Sequence, residues 1–152
     1  MRTSIVDKLL AITDMFQRDM ARAFAGTPLT ESRVAVLWTL SFRGPSTQQS
    51  LAEALAVTPR NISGLVDALE THGYIERVAH PSDRRAVLVT LTSNGEAVMT
   101  RMQTEHAQLE TELRDAVDPG DWAGLESGID AIVTRLTELT GPGRADDEKG
   151  ER

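Results

Sequence analysis

The sequence predicts a mainly helical α+β fold, with six helices and one two-stranded hairpin. Three observations predict it. Apolar residues recur at spacings of three and four through most of the chain. These segments are punctuated by cap residues, glycine and proline. One stretch, Tyr74 to Leu91, alternates instead at a spacing of two around a polar tip.

The first helix is expected over residues 5–25. Ile5, Leu9, Ile12, Phe16, Met20 and Ala23 form one stripe, and "GTP" at 26–28 ends it. Thr30 can cap the second helix, which runs to about Phe42. Its "VAVLW" is apolar all round, the mark of a buried central helix, and "RGP" at 43–45 breaks it. Ser46 with Gln49 reads as a capping box opening a short helix with Leu51, Ala52 and Leu55 inward. Val57 and Thr58 make a turn. Thr58 then caps a helix with Pro59 in its first position. Ile62, Leu65, Val66 and Leu69 form its buried face, and Gly73 stops it in a left-handed conformation.

The hairpin follows. Tyr74 to Val78 is one strand, "AHPSDRR" the tip, and Ala86 to Leu91 the return, with Val87, Val89 and Leu91 on one face. Ser93 with Glu96 reads as a second capping box. It starts a long helix to about Val117, with Val98, Met102, Leu109 and Leu113 inward. "VDPGD" ends that helix. The last runs from Pro119 or Asp121 to Thr140, with Leu125, Ile129, Ile132, Leu136 and Leu139 alternating four and three like a coiled-coil seam. "GPGRADDEKGER" has no core-forming residues and is expected to be a solvated tail.

A chain of 152 residues is expected to be one domain, or at most a domain with helical extensions. It can bury about 70% of its unfolded surface and needs no staples. It has no cysteine, which excludes disulfides, thiol chemistry and cysteine-containing metal sites. No apolar run approaches membrane-spanning length, and no charged-then-apolar leader opens the chain. A cytoplasmic protein without membrane association is expected. The net charge of −7 is unevenly placed. Residues 1–44 hold six basic and four acidic side chains, residues 45–92 four and five, and residues 93–152 six and fourteen. The acidity lies in the last third, so it argues only faintly against a nucleic-acid partner.

Compact helices followed by a two-stranded hairpin make a winged helix-turn-helix, with the turn at Ala56 to Thr58. "LAEALAVTPRNISGLVDALE", "HGYIER" and "DRRAVLVTLT" followed by "SNG" resemble the DNA-binding core of the MarR family of bacterial transcription regulators. The resemblance is close from Pro28 to Gly95 and extends to the flanking helices by layout. It implies a homodimer whose first and last helices interlock, with two winged lobes straddling a pseudo-palindromic DNA operator. It implies a repressor released by a small phenolic or anionic ligand, held in a crevice between dimer base and lobe. By role, 1–28 is the N-terminal dimerisation helix and 29–92 the DNA-binding core. Residues 93–140 carry the long helix and the C-terminal dimerisation helix, and 141–152 are a disordered tail. The resemblance places Ile5, Leu9, Ile12, Leu125, Ile129, Ile132, Leu136 and Leu139 at the dimer interface.

The N-terminal side of the expected recognition helix presents Thr58, Arg60, Asn61, Ser63 and Gly64. A helix N-terminus offers free N–H groups to phosphate. Arg60 can pair with guanine and Asn61 with adenine edges, and Gly64 permits close approach. At the wing, the resemblance assigns Arg85 to the minor groove, with Asp83 gripping its guanidinium in a fork. Arg84 is expected on phosphate. Gln48, Gln49 and Ser50 either touch the DNA backbone or simply cap a helix. His72 and Arg77 either touch phosphate or belong to a solvated surface. Phe16, Met20, Phe24, Trp38 and Phe42 are ligand-pocket candidates, with plain core as the alternative reading. His72, His80 and His106 show no metal-ligand spacing. No metal, cofactor or enzymatic set is expected. The competing function is a winged-helix protein-interaction module without DNA binding.

Overall fold

A computed structural model describes residues 4–140. The elements run α1 (Ile5–Ala23), α2 (Glu31–Arg43), α3 (Gln48–Leu55), α4 (Pro59–Thr71), β1 (Ile75–Ala79), β2 (Val87–Leu91), α5 (Ser93–Asp115) and α6 (Trp122–Thr140). They divide into two compact units, one up to Gln103 and one from Thr104 on. The tail expected at 141–152 lies outside the described residues.

The first unit is built around α2. Val34, Val36, Leu37 and Leu40 are buried in it, as the apolar run predicts. Leu51 of α3, Ile62, Val66 and Leu69 of α4, Ile75 of β1, Val89 of β2 and Met99 of α5 complete the core. Each fully buried aliphatic side chain stabilises by about 1.5–3 kcal/mol. Leu65 is half-buried at the edge of that face.

Local capping sets the boundaries. Thr30 caps α2, accepting from Arg33 N–H. Thr58 caps α4 with Pro59 in the first turn. α4 ends in a Schellman motif: Gly73 N–H reaches Glu70 O, Tyr74 N–H reaches Leu69 O, and Gly73 has φ +75°. Two expected capping boxes are corrected. Thr47, not Ser46, caps α3, its Oγ1 accepting from Ser50 N–H at 3.1 Å. The backbone of Ser46 is committed elsewhere: its N–H and O bond to Val89 of β2 at 3.0 and 2.8 Å. Thr92, not Ser93, caps α5, accepting from Gly95 N–H at 3.1 Å. A box that the sequence reading missed, Ser4 with Asp7, opens α1. α1 ends at Ala23, before the expected 25, because Phe24 turns into the core.

β1 and β2 pair antiparallel, from Ile75 opposite Leu91 to Ala79 opposite Val87. Val89 is fully buried and Leu91 half-buried, but Val87 is exposed, because it sits at the hairpin's free end. The expected single buried face is therefore only partly formed.

Two helices carry apolar residues with nothing over them in the single chain. On α1, Ile5, Val6, Leu10, Ile12, Met15 and Phe16 are exposed and Leu9 half-buried. On α6, Leu125, Ile129, Val133, Leu136 and Leu139 are exposed and Ile132 half-buried. Leu109 and Leu113 of α5, expected inward, are also exposed. In this second unit the Arg114 guanidinium lies over the Trp122 ring, 4.5 Å from its centroid.

Candidate nucleic-acid interface

Two projections of the first unit carry the side chains expected to meet DNA. The first is the N-terminus of α4. Ala56 ends α3 in the left-handed conformation, φ 51° and ψ 42°. That single residue reverses the chain, so Val57 N–H closes on Ala52 O and α4 can start at once. Thr58 Oγ1 takes the Asn61 N–H at 3.2 Å. Arg60, Asn61 and Gly64 are exposed, and Ser63 is half-buried. A Cβ added at Gly64 would meet nothing within 4 Å, so the surface there is open.

The second projection is the loop joining β1 to β2. Asp83, Arg84 and Arg85 are all exposed. The expected fork between Asp83 and Arg85 is not formed. Asp83 Oδ1 accepts the backbone N–H of Arg85 at 2.9 Å instead. A short aspartate reaches its neighbour's amide two residues on more readily than that neighbour's distant guanidinium. Asp83 therefore shapes the turn and leaves the arginine head groups outside.

Arg77 departs from expectation too. Its guanidinium is turned into the lobe rather than out to solvent. Nη2 donates to Gln48 Oε1 at 2.9 Å and to Asp67 Oδ1 at 2.5 Å, while Nη1 pairs with Glu70. Its backbone N–H also reaches Glu70 Oε1 at 3.2 Å. The hydrogen bond to Asp67 raises the Arg77 pKa above its ordinary value; desolvation opposes this and Glu70 adds to it. Gln48 and Arg77 thus clasp α3, α4 and β1 together, a function no sequence spacing displays. Gln49 bonds Glu53 one turn on, Ser50 donates its N–H to Thr47, and His72 is the exposed C-terminal cap of α4.

The pocket candidates divide. Phe16, Met20 and Phe24 line an open cavity of about 520 Å³ between α1 and the start of α2, with Thr13, Gln17, Thr30 and Glu31 as its polar members. Trp38 and Phe42 lie outside that lining and stack on each other, with centroids 5.4 Å apart. Among the described residues no group of three histidine, aspartate or glutamate side chains is placed to hold a metal, and no helix is long and apolar enough to cross a membrane.

The comparisons agree with this geometry. Residues 29–87 match the MarR family. The multiple antibiotic resistance protein MarR of Salmonella typhimurium is 31% identical over 106 residues, covering 69% of this chain and 74% of that protein. The HTH-type transcriptional repressor NicR of Pseudomonas putida is 36% identical over 74 residues, covering 49% of this chain and 47% of NicR. The chain thus spans about half of NicR's length. FabT of Streptococcus pneumoniae, solved in complex with DNA, shares the fold with a TM-score of 0.82 at 21% identity, covering 89% of this chain and 96% of that one. These relatives are transcriptional regulators rather than enzymes. On the match to residues 29–87 and on the extent of its identity with MarR of Salmonella, the chain belongs to the MarR family, with that family's winged helix-turn-helix fold.

Proposed function

We propose that two copies pair through α1 and α6 and bind a pseudo-palindromic DNA operator as a repressor. One observation carries the reading: each of the two projections presents exposed donors, Arg60 and Asn61 on one, Arg84 and Arg85 on the other. Arg60 and Asn61 match the bidentate readers of guanine and adenine in the major groove. The wing arginines suit the minor groove and its flanking phosphates. The division by role follows: 29–92 reads DNA, while 1–28 and 93–140 assemble the dimer in the cytoplasm. The uncovered apolar faces of α1 and α6 support pairing, since exposed apolar surface costs about 25 cal/mol per Å² until it is buried. That FabT was solved on DNA and NicR is a repressor supports the same reading.

The ligand site fits the cavity lined by Phe16, Met20 and Phe24. Glu31 stands in its lining and no lysine, arginine or histidine does. A neutral phenolic ligand suits it better than an anion, which would meet the Glu31 carboxylate without a counter-charge. Release then needs a ligand that favours one lobe spacing over the other. Small-angle scattering and operator affinity both unchanged at saturating ligand would refute that step.

The decisive experiment selects bound duplexes from a random pool and footprints the winners. Protected half-sites about one helical turn apart, roughly 34–36 Å, are expected. Equal binding of selected and scrambled duplexes would favour a protein-interaction module instead.

A further inference from the structure

The loop between β1 and β2 closes on His80 N–H to Ala86 O, 3.1 Å. Pro81 comes next and has no N–H to offer. The following two backbone donors converge on one atom. Ser82 N lies 3.2 Å and Asp83 N 3.1 Å from His80 Nδ1, and Ser82 Oγ stands 3.3 Å from it. Asp83 then continues the chain of caps: Oδ1 takes the Arg85 N–H at 2.9 Å, and its carbonyl takes the Ala86 N–H at 3.1 Å. The imidazole forms the first corner of the loop and the carboxylate the second. Arg84 and Arg85 lie within the second, directly after the residue whose amide the imidazole caps.

We propose that His80 is a positioning residue for the wing: its neutral imidazole caps the Ser82 and Asp83 amides and so fixes where Arg84 and Arg85 point. This rests on the DNA-binding reading above. Nδ1 accepts only while it carries no proton, which places the ring hydrogen on Nε2. Protonation at Nδ1 turns the acceptor into a donor facing two donors, and the first corner opens. The charged groups of the same loop are Asp83, Arg84 and Arg85. On the paired strands they are Glu76 and Arg77, and Arg77 is held toward α3 and α4. Among the described residues no carboxylate forms an ion pair with His80.

Asparagine separates capping from ionisation, because its side-chain oxygen accepts at every pH. The full chain is labelled with nitrogen-15 and titrated without DNA from about pH 8 to about pH 5, the range in which histidines change charge. The Ser82 and Asp83 amide resonances are expected to move with the His80 ring in the wild type and to stay still in His80→Asn. Affinity for a duplex selected by the wild-type chain is then measured. His80→Ala should weaken binding roughly fivefold to tenfold at pH 8, and His80→Asn should stay near wild type. On acidification the wild type should lose affinity relative to His80→Asn; His72 and His106, common to both, cancel. Amides that ignore the ring, equal affinity for His80→Ala and wild type, or identical pH profiles for wild type and His80→Asn would each overturn the proposal. Should the wild type select no duplex, the DNA-binding reading fails, and the amide titration still decides the cap.

Discussion

Gly95 opens α5 so close to Tyr74 that a Cβ built on it would stand 2.0 Å from the Tyr74 carbonyl oxygen. The two nearest atoms, the Tyr74 carbonyl oxygen and carbon, are backbone and cannot rotate away. Thr92 fixes the approach, donating Oγ1–H to Gly73 O at 2.6 Å and its N–H to Tyr74 O at 3.1 Å. Gly95→Ala should therefore cost on the order of 3 kcal/mol. Denaturant midpoints at unchanged slope would measure it; a loss within ordinary surface scatter would show that the helix start can shift.

The same substitution at Gly64 should act in the opposite sense. A Cβ there meets nothing, and the site is an exposed helix interior. Gly64→Ala should stabilise by about 0.5–1 kcal/mol while weakening DNA binding, because the proposed interface puts the new methyl group against the duplex. Thermal melting and a gel shift on one preparation would test both signs. Undiminished affinity would move the duplex away from Gly64.

Arg77 is expected to act through what it holds. Asp67 and Glu70 are substantially exposed, so the ion pairs themselves contribute modestly. With the hydrogen bonds to Gln48, Arg77→Met should cost about 1–2 kcal/mol. Operator affinity should fall with little change in its salt dependence, since no phosphate contact is lost. A salt slope reduced by about one would instead make Arg77 a direct phosphate ligand.

At the wing tip, Asp83→Asn keeps an oxygen able to accept the Arg85 N–H, whereas Asp83→Ala does not. The turn geometry predicts near-normal DNA binding for the first and weaker binding for the second. A fork on the guanidinium would need the charge, and both variants would then fail alike. Arg85→Ala should weaken binding while leaving the melting temperature unchanged. A gel shift that cannot tell it from wild type would remove the arginine from the interface.

For the dimer, Leu136→Asp puts a charge on the uncovered face of α6. Leu136 is 49% exposed in the single chain, so the fold of one copy should tolerate it. Sedimentation should then report a single-chain mass. An unchanged mass would place the pairing surface elsewhere.

Much of this was legible in the sequence because it rests on short-range rules. The spacing of Ile62, Val66 and Leu69, the Thr58–Pro59 start and the Gly73 stop each have one physical outcome, and all are observed. The exposed tips at Arg60, Asn61, Arg84 and Arg85 were legible for the same reason. What escaped depends on distant partners. Ser46 looked like a cap until Val89, far along the chain, claimed its backbone. Arg77 looked like a free cation because Gln48, Asp67 and Glu70 have no pattern that points to it. Ala56 gave no sign of its left-handed turn, since glycine is the residue that would have announced it.

The bridge between Ser46 and Val89 has a wider consequence. Ser46 immediately precedes the cap of α3, and Val89 sits in the middle of β2. The entry to the helix pair and the return limb of the hairpin are thereby geared to each other. A shift of α3 therefore draws the base of the wing with it, while the loop capped by His80 and Asp83 keeps its own local hydrogen bonds. On the proposed DNA-binding reading, a force applied at the helix pair is handed on to the return limb of the hairpin through this one joint.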